Sequence, residues 1–234
     1  MIQPIVDARA GVTLVAGGPV SARDLAQALA RAPVVVAADG GADRALALGQ
    51  TPVAVIGDFD SIGDAARVLP AAALHRIAEQ ETTDFDKALR SIRAPFVIAL
   101  GVLGGRLDHE LAALSTLVAQ AGMPVVALGP KDVVFAAPAR LTLSLRAGDR
   151  LSLYPLAPVR GTSRGLDWPI DGLRLAPDGR LGTSNRVTSG PVSLTFDAGG
   201  MLVILPRARL DAALDAISPC WRRRGDGRPD VRGG

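Results

Sequence analysis

Acidic side chains recur in this chain where they could act together on one ligand. Asp58 and Asp60 lie in Gly57-Asp58-Phe59-Asp60-Ser61, Asp84 and Asp86 in Thr83-Asp84-Phe85-Asp86-Lys87, and Asp108 in Gly104-Gly105-Arg106-Leu107-Asp108-His109. Each cluster follows, or lies close to, a short apolar run that reads as a buried strand, and open α/β sheets build their sites at the carboxyl ends of such strands. Carboxylates gathered with Lys87, Arg106 and glycine turns suit Mg²⁺ and a polyphosphate: hard cations take oxygen ligands, and phosphoryl chemistry needs its negative charge neutralised. The substrate these residues imply is a nucleoside triphosphate.

On an extended backbone, Asp58 and Asp60 point to one side and Phe59 to the other, so two carboxylates can share one cation. Alternatively, Asp60 or Ser61 caps the next helix while Asp58 closes a turn. Asp39-Gly40-Gly41-Ala42-Asp43-Arg44 follows another strand and opens a helix, where glycines let backbone N–H groups approach phosphate. It is neither the dinucleotide fingerprint nor a P-loop, and a plain strand-to-helix turn is the competing reading. Arg106 could simply pair with Asp108, and His109 reads as a polar residue of a helix's first turn. Trp168, in Gly165-Leu166-Asp167-Trp168-Pro169, is either core packing or a platform for a flat cationic heterocycle. Ser184-Asn185 reads as turn chemistry. No serine has an arranged His and acid, so a hydrolytic triad has no support.

The elements that must position these residues follow from the apolar pattern. Val12–Ala16, Val34–Ala38, Val53–Ile56, Phe96–Leu100 and Val125–Leu128 lack period-2 polarity, as buried parallel strands do. Between them, residues 21–30 (capped by Ser21, with Asp24 in the first turn), 42–48 and 107–121 read as crossover helices, the last two ending at Gly49 and Gly122. Thr83 or Asp84 caps a further helix running to about Ile92, with Lys87 one turn in. After Gly129 the texture changes to short β-favouring runs at 133–136, 141–145, 150–156, 173–175, 192–197 and 202–205, with no helix before Leu210. The expected fold is therefore α/β: an open, mostly parallel sheet domain over 1–130, then a smaller antiparallel β-sandwich or barrel over 131–212. Residues 213–234 read as a basic, disordered tail.

Composition narrows the function. A chain of 234 residues with 48% hydrophobic residues can bury real cores, and no apolar run reaches the roughly 18 residues of a membrane span. No signal peptide is evident, so a cytoplasmic location and no membrane partner are expected. One cysteine and two histidines leave any metal to carboxylates. The net charge of +3 comes from residues 221–234, which hold five Arg and two Asp, so nucleic acid is not expected as a partner.

Taken in series, these stretches resemble the thiamine pyrophosphokinase family, enzymes that transfer a diphosphate from ATP to thiamine. The matching pieces are Ala38 to Arg44, Gly57 to Ile62, Gln80 to Lys87, Gly104 to His109, Gly165 to Trp168 and Thr183 to Asn185, spanning most of residues 12–205. The resemblance implies an α/β ATP-binding domain, then a β domain, in a homodimer whose subunits share each site. It implies that thiamine's hydroxyl attacks the β-phosphorus of ATP and AMP leaves. Asp58, Asp60 and Asp84 would gather Mg²⁺, with Asp108 as an acidic partner; Lys87 and Arg106 would stabilise charge on the transferred group and on AMP. Asp39, Gly40, Gly41, Arg44, Gly104 and Gly105 would line the ATP side, and Gln80, Thr82, Trp168, Ser184 and Asn185 would contact thiamine.

The chain departs from that pattern where Arg186 follows Asn185, a place where bacterial relatives often carry an acid, and at Asp43, where many have Asn. Two other readings stay open at this point: a diphosphokinase for another hydroxymethyl heterocycle such as a pterin, and a non-catalytic nucleotide- or thiamine-binding protein.

Overall fold

A strand with no polar side must be covered on both faces, and this requirement shapes the amino-terminal half. In the computed structural model, which describes residues 4–219 and 221, the strands there are β1 (Val6–Asp7), β2 (Val12–Val15), β3 (Val34–Ala38), β4 (Ala54–Gly57), β5 (Leu74–Arg76), β6 (Ile92–Arg93), β7 (Val97–Leu100) and β8 (Val125–Leu128). Every residue of β2, β4, β7 and β8 is buried. The helices between them are α1 (Ala22–Leu29), α2 (Gly41–Ala47), α3 (Ala65–Val68), α4 (Asp84–Arg90) and α5 (Leu107–Ala119). Local chemistry sets their starts. Ser21 and Asp24 form a reciprocal capping box on α1, and the Thr83 hydroxyl accepts from the Asp86 N–H at the head of α4.

Six strands run parallel in the order β5-β4-β3-β2-β7-β8. The chain steps one way from β2 to β5, then returns through α4 to β7 on the other side of β2. That reversal is a topological switch point, and the loops leaving β2 and β7 flank it. They approach closely there: Gly18 N–H donates to Gly101 O at 3.1 Å, and a Cβ on Gly18 would lie 2.3 Å from that oxygen.

The carboxyl-terminal half adds β9 (Asp132–Ala136), β10 (Arg140–Leu143), β11 (Arg150–Pro155), β12 (Val159–Arg164), β13 (Arg174–Leu175), β14 (Gly182–Arg186), β15 (Val192–Phe196), β16 (Met201–Pro206) and α6 (Leu210–Ile217). β9, β16, β11 and β14 extend the first sheet beyond β8 with antiparallel pairing, giving ten strands in the order β14-β11-β16-β9-β8-β7-β2-β3-β4-β5. The change of texture near Gly129 therefore marks a switch from parallel to antiparallel pairing inside one continuous sheet. The remaining strands form a second sheet, β10-β15-β12-β13. Its inward residues Leu141, Leu143, Val192 and Leu194 share a core with Leu151, Leu153, Val203 and Leu205 of the first, as in a sandwich.

The reading of a tail from residue 213 is corrected. Residues 213–217 belong to α6, with Ala213 and Leu214 buried, and Trp221 packs edge-on against Phe96 with ring centroids 6.1 Å apart. Residues 220 and 222–234 lie outside the described residues. Among the described residues no helix is long and apolar enough to cross a membrane.

Candidate active site

β3 and β4 are adjacent and parallel, so the residues just past them, Asp39 and Asp58, reach the same edge of the sheet. Asp84 comes from the first turn of α4. The Asp58 N–H donates to Asp84 Oδ1 at 3.2 Å, and a Cβ on Gly57 would lie only 3.1 Å from that oxygen, so Gly57 is what permits the approach. One carboxylate oxygen from each of Asp39, Asp58, Asp60 and Asp84 lies within 4.8 Å of the others.

Lys87 closes this cluster from below. Its side chain is 1% exposed, with Nζ 3.0 Å from Asp84 Oδ1 and 3.4 Å from Asp58 Oδ2. Burial alone would lower its pKa, but the hydrogen bond and charge of Asp84, then those of Asp58, raise it. Asp58 sits below the ordinary carboxylate range, first because Gln80 Nε2 donates to its Oδ2 at 2.8 Å; the Asp60 N–H and Lys87 also favour its charge, while burial opposes them.

Asp39 is different in kind. It is 3% exposed; its Oδ2 accepts from the Ser61 N–H at 3.2 Å, and its Oδ1 has no hydrogen-bond partner among the described residues. Burial, joined by the negative charges of Asp84 and Asp60, pushes its pKa from 3.8 up to about 6 against the Ser61 hydrogen bond. Its backbone is left-handed at φ 42. A carboxylate held in this state is costly unless a cation compensates it.

The extended-backbone reading of Asp58-Phe59-Asp60 is also corrected. Phe59 has φ 67 and the Asp60 N–H donates to Asp58 Oδ1 at 3.2 Å, so the segment is a tight turn. A left-handed aromatic residue is strained, and the strain is held by the surroundings of the loop. Asp43 anchors its far end, its two carboxylate oxygens accepting the Gly63 N–H at 2.7 Å and the Ala65 N–H at 2.9 Å. Of the competing reading, Asp58 does close the turn, but neither Asp60 nor Ser61 caps α3: the cap position is Asp64.

The other residues singled out in the sequence lie around this centre. Gly41 is fixed by packing, since a Cβ there would meet Val15 O at 2.0 Å; Gly40 precedes it at the helix cap, and Arg44 is exposed on α2. Gly104 turns with φ 85, and the Gly105 N–H donates to Glu110 Oε1 at 2.7 Å. Arg106 and Asp108 form an exposed two-point pair, Nε to Oδ1 at 3.1 Å and Nη2 to Oδ2 at 2.6 Å, at the start of α5 after the loop beside the switch point. This pair holds Asp108 below its ordinary pKa. The Thr82 hydroxyl is taken by Glu79, while Gln80 joins the acidic cluster directly.

Trp168, Ser184 and Asn185 form a second group. Trp168 is 59% exposed, which sets aside the core reading for this chain. Asn185 is buried, and its amide holds the tryptophan's backbone from both sides: Nδ2 donates to Trp168 O at 2.7 Å and Oδ1 accepts the Trp168 N–H at 3.2 Å. Ser184 is left-handed at φ 60, its N–H bonded to Ser152 Oγ at 2.9 Å. Both lie on β14, the edge strand of the ten-stranded sheet, whereas Asp39 and Asp58 follow β3 and β4 seven and eight strand positions away. At about 4.8 Å per strand that is roughly 34–38 Å along the sheet.

Sequence reasoning gave Asp39 a phosphate-side role and missed its place among the clustered carboxylates. The signal was present, because Asp39 directly follows a buried strand as Asp58 does. It also missed Glu79 and treated Asp43 only as a departure from the family pattern.

Two family models match the chain: the thiamin pyrophosphokinase catalytic domain over residues 25–127, and the thiamin pyrophosphokinase vitamin B1 binding domain over residues 140–201. Thiamine pyrophosphokinase 1 of Oryza sativa subsp. japonica is 27% identical over 203 residues, covering 72% of this chain and 77% of the relative. Among solved structures, a protein from Lactobacillus plantarum superposes with a TM-score of 0.72 at 29% identity, covering 85% of this chain and 99% of that one. Thiamin pyrophosphokinase from Candida albicans, at 16% identity and a TM-score of 0.72 over 88% and 95% of the two chains, shares the fold.

Proposed function

The chain belongs to the thiamin pyrophosphokinase family, and from that premise we propose that it transfers the diphosphate of ATP to the hydroxyl of thiamine, giving thiamine diphosphate and AMP. The observation that carries this reading to the chain's own residues is the partly buried carboxylate cluster, with an unpartnered Asp39 oxygen and with Lys87 paired to Asp58 and Asp84. Four carboxylates that each offer a hard oxygen donor, with an unpartnered buried oxygen on Asp39, fit a hard divalent cation, and Mg²⁺ is the ion we assign. Asp39, Asp58, Asp60 and Asp84 would hold it. Bound there, the ion would neutralise phosphate oxygens during transfer.

In the reaction the thiamine hydroxyl oxygen forms a bond to the β-phosphorus of ATP, and the bond from that phosphorus to the α–β bridging oxygen breaks. The bridging electrons leave with AMP, and the hydroxyl proton is released. Such displacements are catalysed mostly by positioning and charge neutralisation. Lys87, fixed by Asp58 and Asp84, keeps a positive charge aimed at the carboxylate edge. Arg106 stands at the switch point on a glycine-flanked loop, and exchanging Asp108 for a phosphate oxygen would bring its guanidinium onto the transferred group or the departing AMP. The parallel half, residues 1–130, supplies the nucleotide end, and 131–212 supplies thiamine contacts through Trp168, Ser184 and Asn185.

The distance between β14 and the carboxylate edge supports a homodimer in which one chain's Trp168 serves the other's carboxylates. A cationic thiazolium or pyrimidine ring stacked on an exposed indole suits this arrangement.

Purified protein incubated with Mg²⁺, ATP and thiamine is expected to release AMP and thiamine diphosphate in equal amounts, read by chromatography. AMP formation that requires a pterin instead of thiamine would overturn the acceptor, and ATP binding without AMP release would overturn the activity.

A further inference from the structure

The loop between β5 and α4 carries Gln80 and ends at Thr83, the cap that places Asp84, yet past Ile77 it has no apolar anchor. Residues 78–83 are exposed or half-buried, and after the Ile77 N–H bonds Gly57 O at 2.7 Å, one side chain gathers the segment. Glu79 Oε2 accepts the Glu81 N–H at 2.7 Å and the Thr82 N–H at 3.1 Å. Its Oε1 accepts from the Thr82 hydroxyl and from Arg90 of α4. Arg90 also lies 3.9 Å from Asp86. A single carboxylate thus folds the loop onto itself and ties it to the helix that carries Asp84 and Lys87. The result is delivery of the Gln80 amide to Asp58 Oδ2 at 2.8 Å, the oxygen that Lys87 Nζ approaches at 3.4 Å.

We propose that Glu79 is a positioning residue for the transfer reaction: with Arg90 it sets the loop that seats Gln80 on Asp58, and so fixes the orientation of the cation-binding carboxylate. This inference rests on the diphosphokinase reading. Glu79 itself contacts none of the four clustered carboxylates, and the polar contact from its loop to them is the Gln80 amide on Asp58 Oδ2. The same geometry reassigns Thr82, whose hydroxyl and N–H are both spent on Glu79, from substrate contact to loop closure.

The test compares the full-length protein with Glu79→Ala, Gln80→Ala and the double variant, measuring kcat, the KM values for ATP and thiamine, and Mn²⁺ affinity by titration without substrates. Outer residues that orient metal ligands typically cost 10–100-fold in affinity or activity, and that range is expected for each single variant, in kcat and Mn²⁺ affinity rather than in thiamine KM. Because Glu79 acts through Gln80, the double variant should lose little more than either single. Glu79→Asp, which keeps a carboxylate, should recover part of the loss. The inference is overturned if Glu79→Ala keeps kcat and Mn²⁺ affinity within about twofold of the parent, or if the two losses multiply. If Glu79→Ala does not fold, Glu79→Gln, which keeps the volume and removes one acceptor, carries the same comparison. A parent protein that binds Mn²⁺ but makes no thiamine diphosphate would sink the functional reading alone, and the Mn²⁺ affinities of the three variants would still decide the role of Glu79.

Discussion

The carboxylate edge at β3, β4 and α4 and the Trp168 station beside β14 are built on opposite plans. The first concentrates buried charge: Lys87 between Asp58 and Asp84, Asp39 with an oxygen to spare, and left-handed backbone at both Asp39 and Phe59. The second leaves its large ring in solvent and buries only the amide of Asn185 that fixes the backbone. Charge in a low-dielectric setting acts strongly at short range and must be locked in place, whereas an aromatic platform needs only an open face. The carboxylate group is therefore fixed by contacts within the chain, and the tryptophan keeps an open face.

The largest effect that would sharpen this contrast is expected from Asp60→Asn. Asp60 is exposed, so its loss should leave circular dichroism and the melting temperature unchanged while kcat falls by about 10³, the scale of removing one strong electrostatic contact from a transition state. Near-normal turnover would break the cation assignment.

Asp39→Asn comes next, and it separates function from stability. With a folded pKa of about 6 against the ordinary 3.8, Asp39 binds its proton more tightly folded than unfolded. Its contribution to stability is full below about pH 4 and is lost as pH rises towards 6, worth about 1–3 kcal/mol in the metal-free protein. Asparagine keeps an acceptor for the Ser61 N–H and tolerates the left-handed backbone. The variant should thus be more stable than the parent in chelator at pH 7, should match it near pH 4, and should bind Mg²⁺ and turn over poorly. Denaturant melts at the two pH values check the sign; lower stability of the variant at pH 7 would contradict it.

Trp168→Ala is expected to act more mildly, raising the thiamine KM about tenfold with little change in kcat, as loss of a stacked cation contact does. Its melting temperature should barely move, since the ring is mostly exposed. A large drop would mean the ring packs against protein.

Much of this contrast could be read in the residues alone. The unbroken apolar runs announced the parallel strands, and Thr83 and Ser21 announced helix starts, because caps and buried strands leave local signatures. What was not legible depends on pairing across the chain. β14, reading Gly-Thr-Ser-Asn-Arg, has no apolar period because an edge strand that buries one asparagine needs none. β5 is three residues long and β12 carries polar and glycine positions, so neither announced itself. That the sheet runs on past Gly129 follows from β9 pairing with β8, a contact no local pattern encodes. Asp39 and Glu79 were hidden for a related reason: their roles lie in partners 22 residues away for Asp39 and 11 for Glu79 and Arg90.

The sharing of one site between two chains is the claim most directly exposed to test, and mixing two damaged chains tests it. Asp60→Asn lacks a working carboxylate edge and Trp168→Ala lacks the platform. In a mixed dimer with shared sites, one site receives both lesions and the other receives neither. Co-expressed and purified as a heterodimer, the pair should regain turnover at low thiamine with the parent KM in half its sites. A mixture that keeps the raised KM of Trp168→Ala would place both ends of the site on one chain and contradict the account.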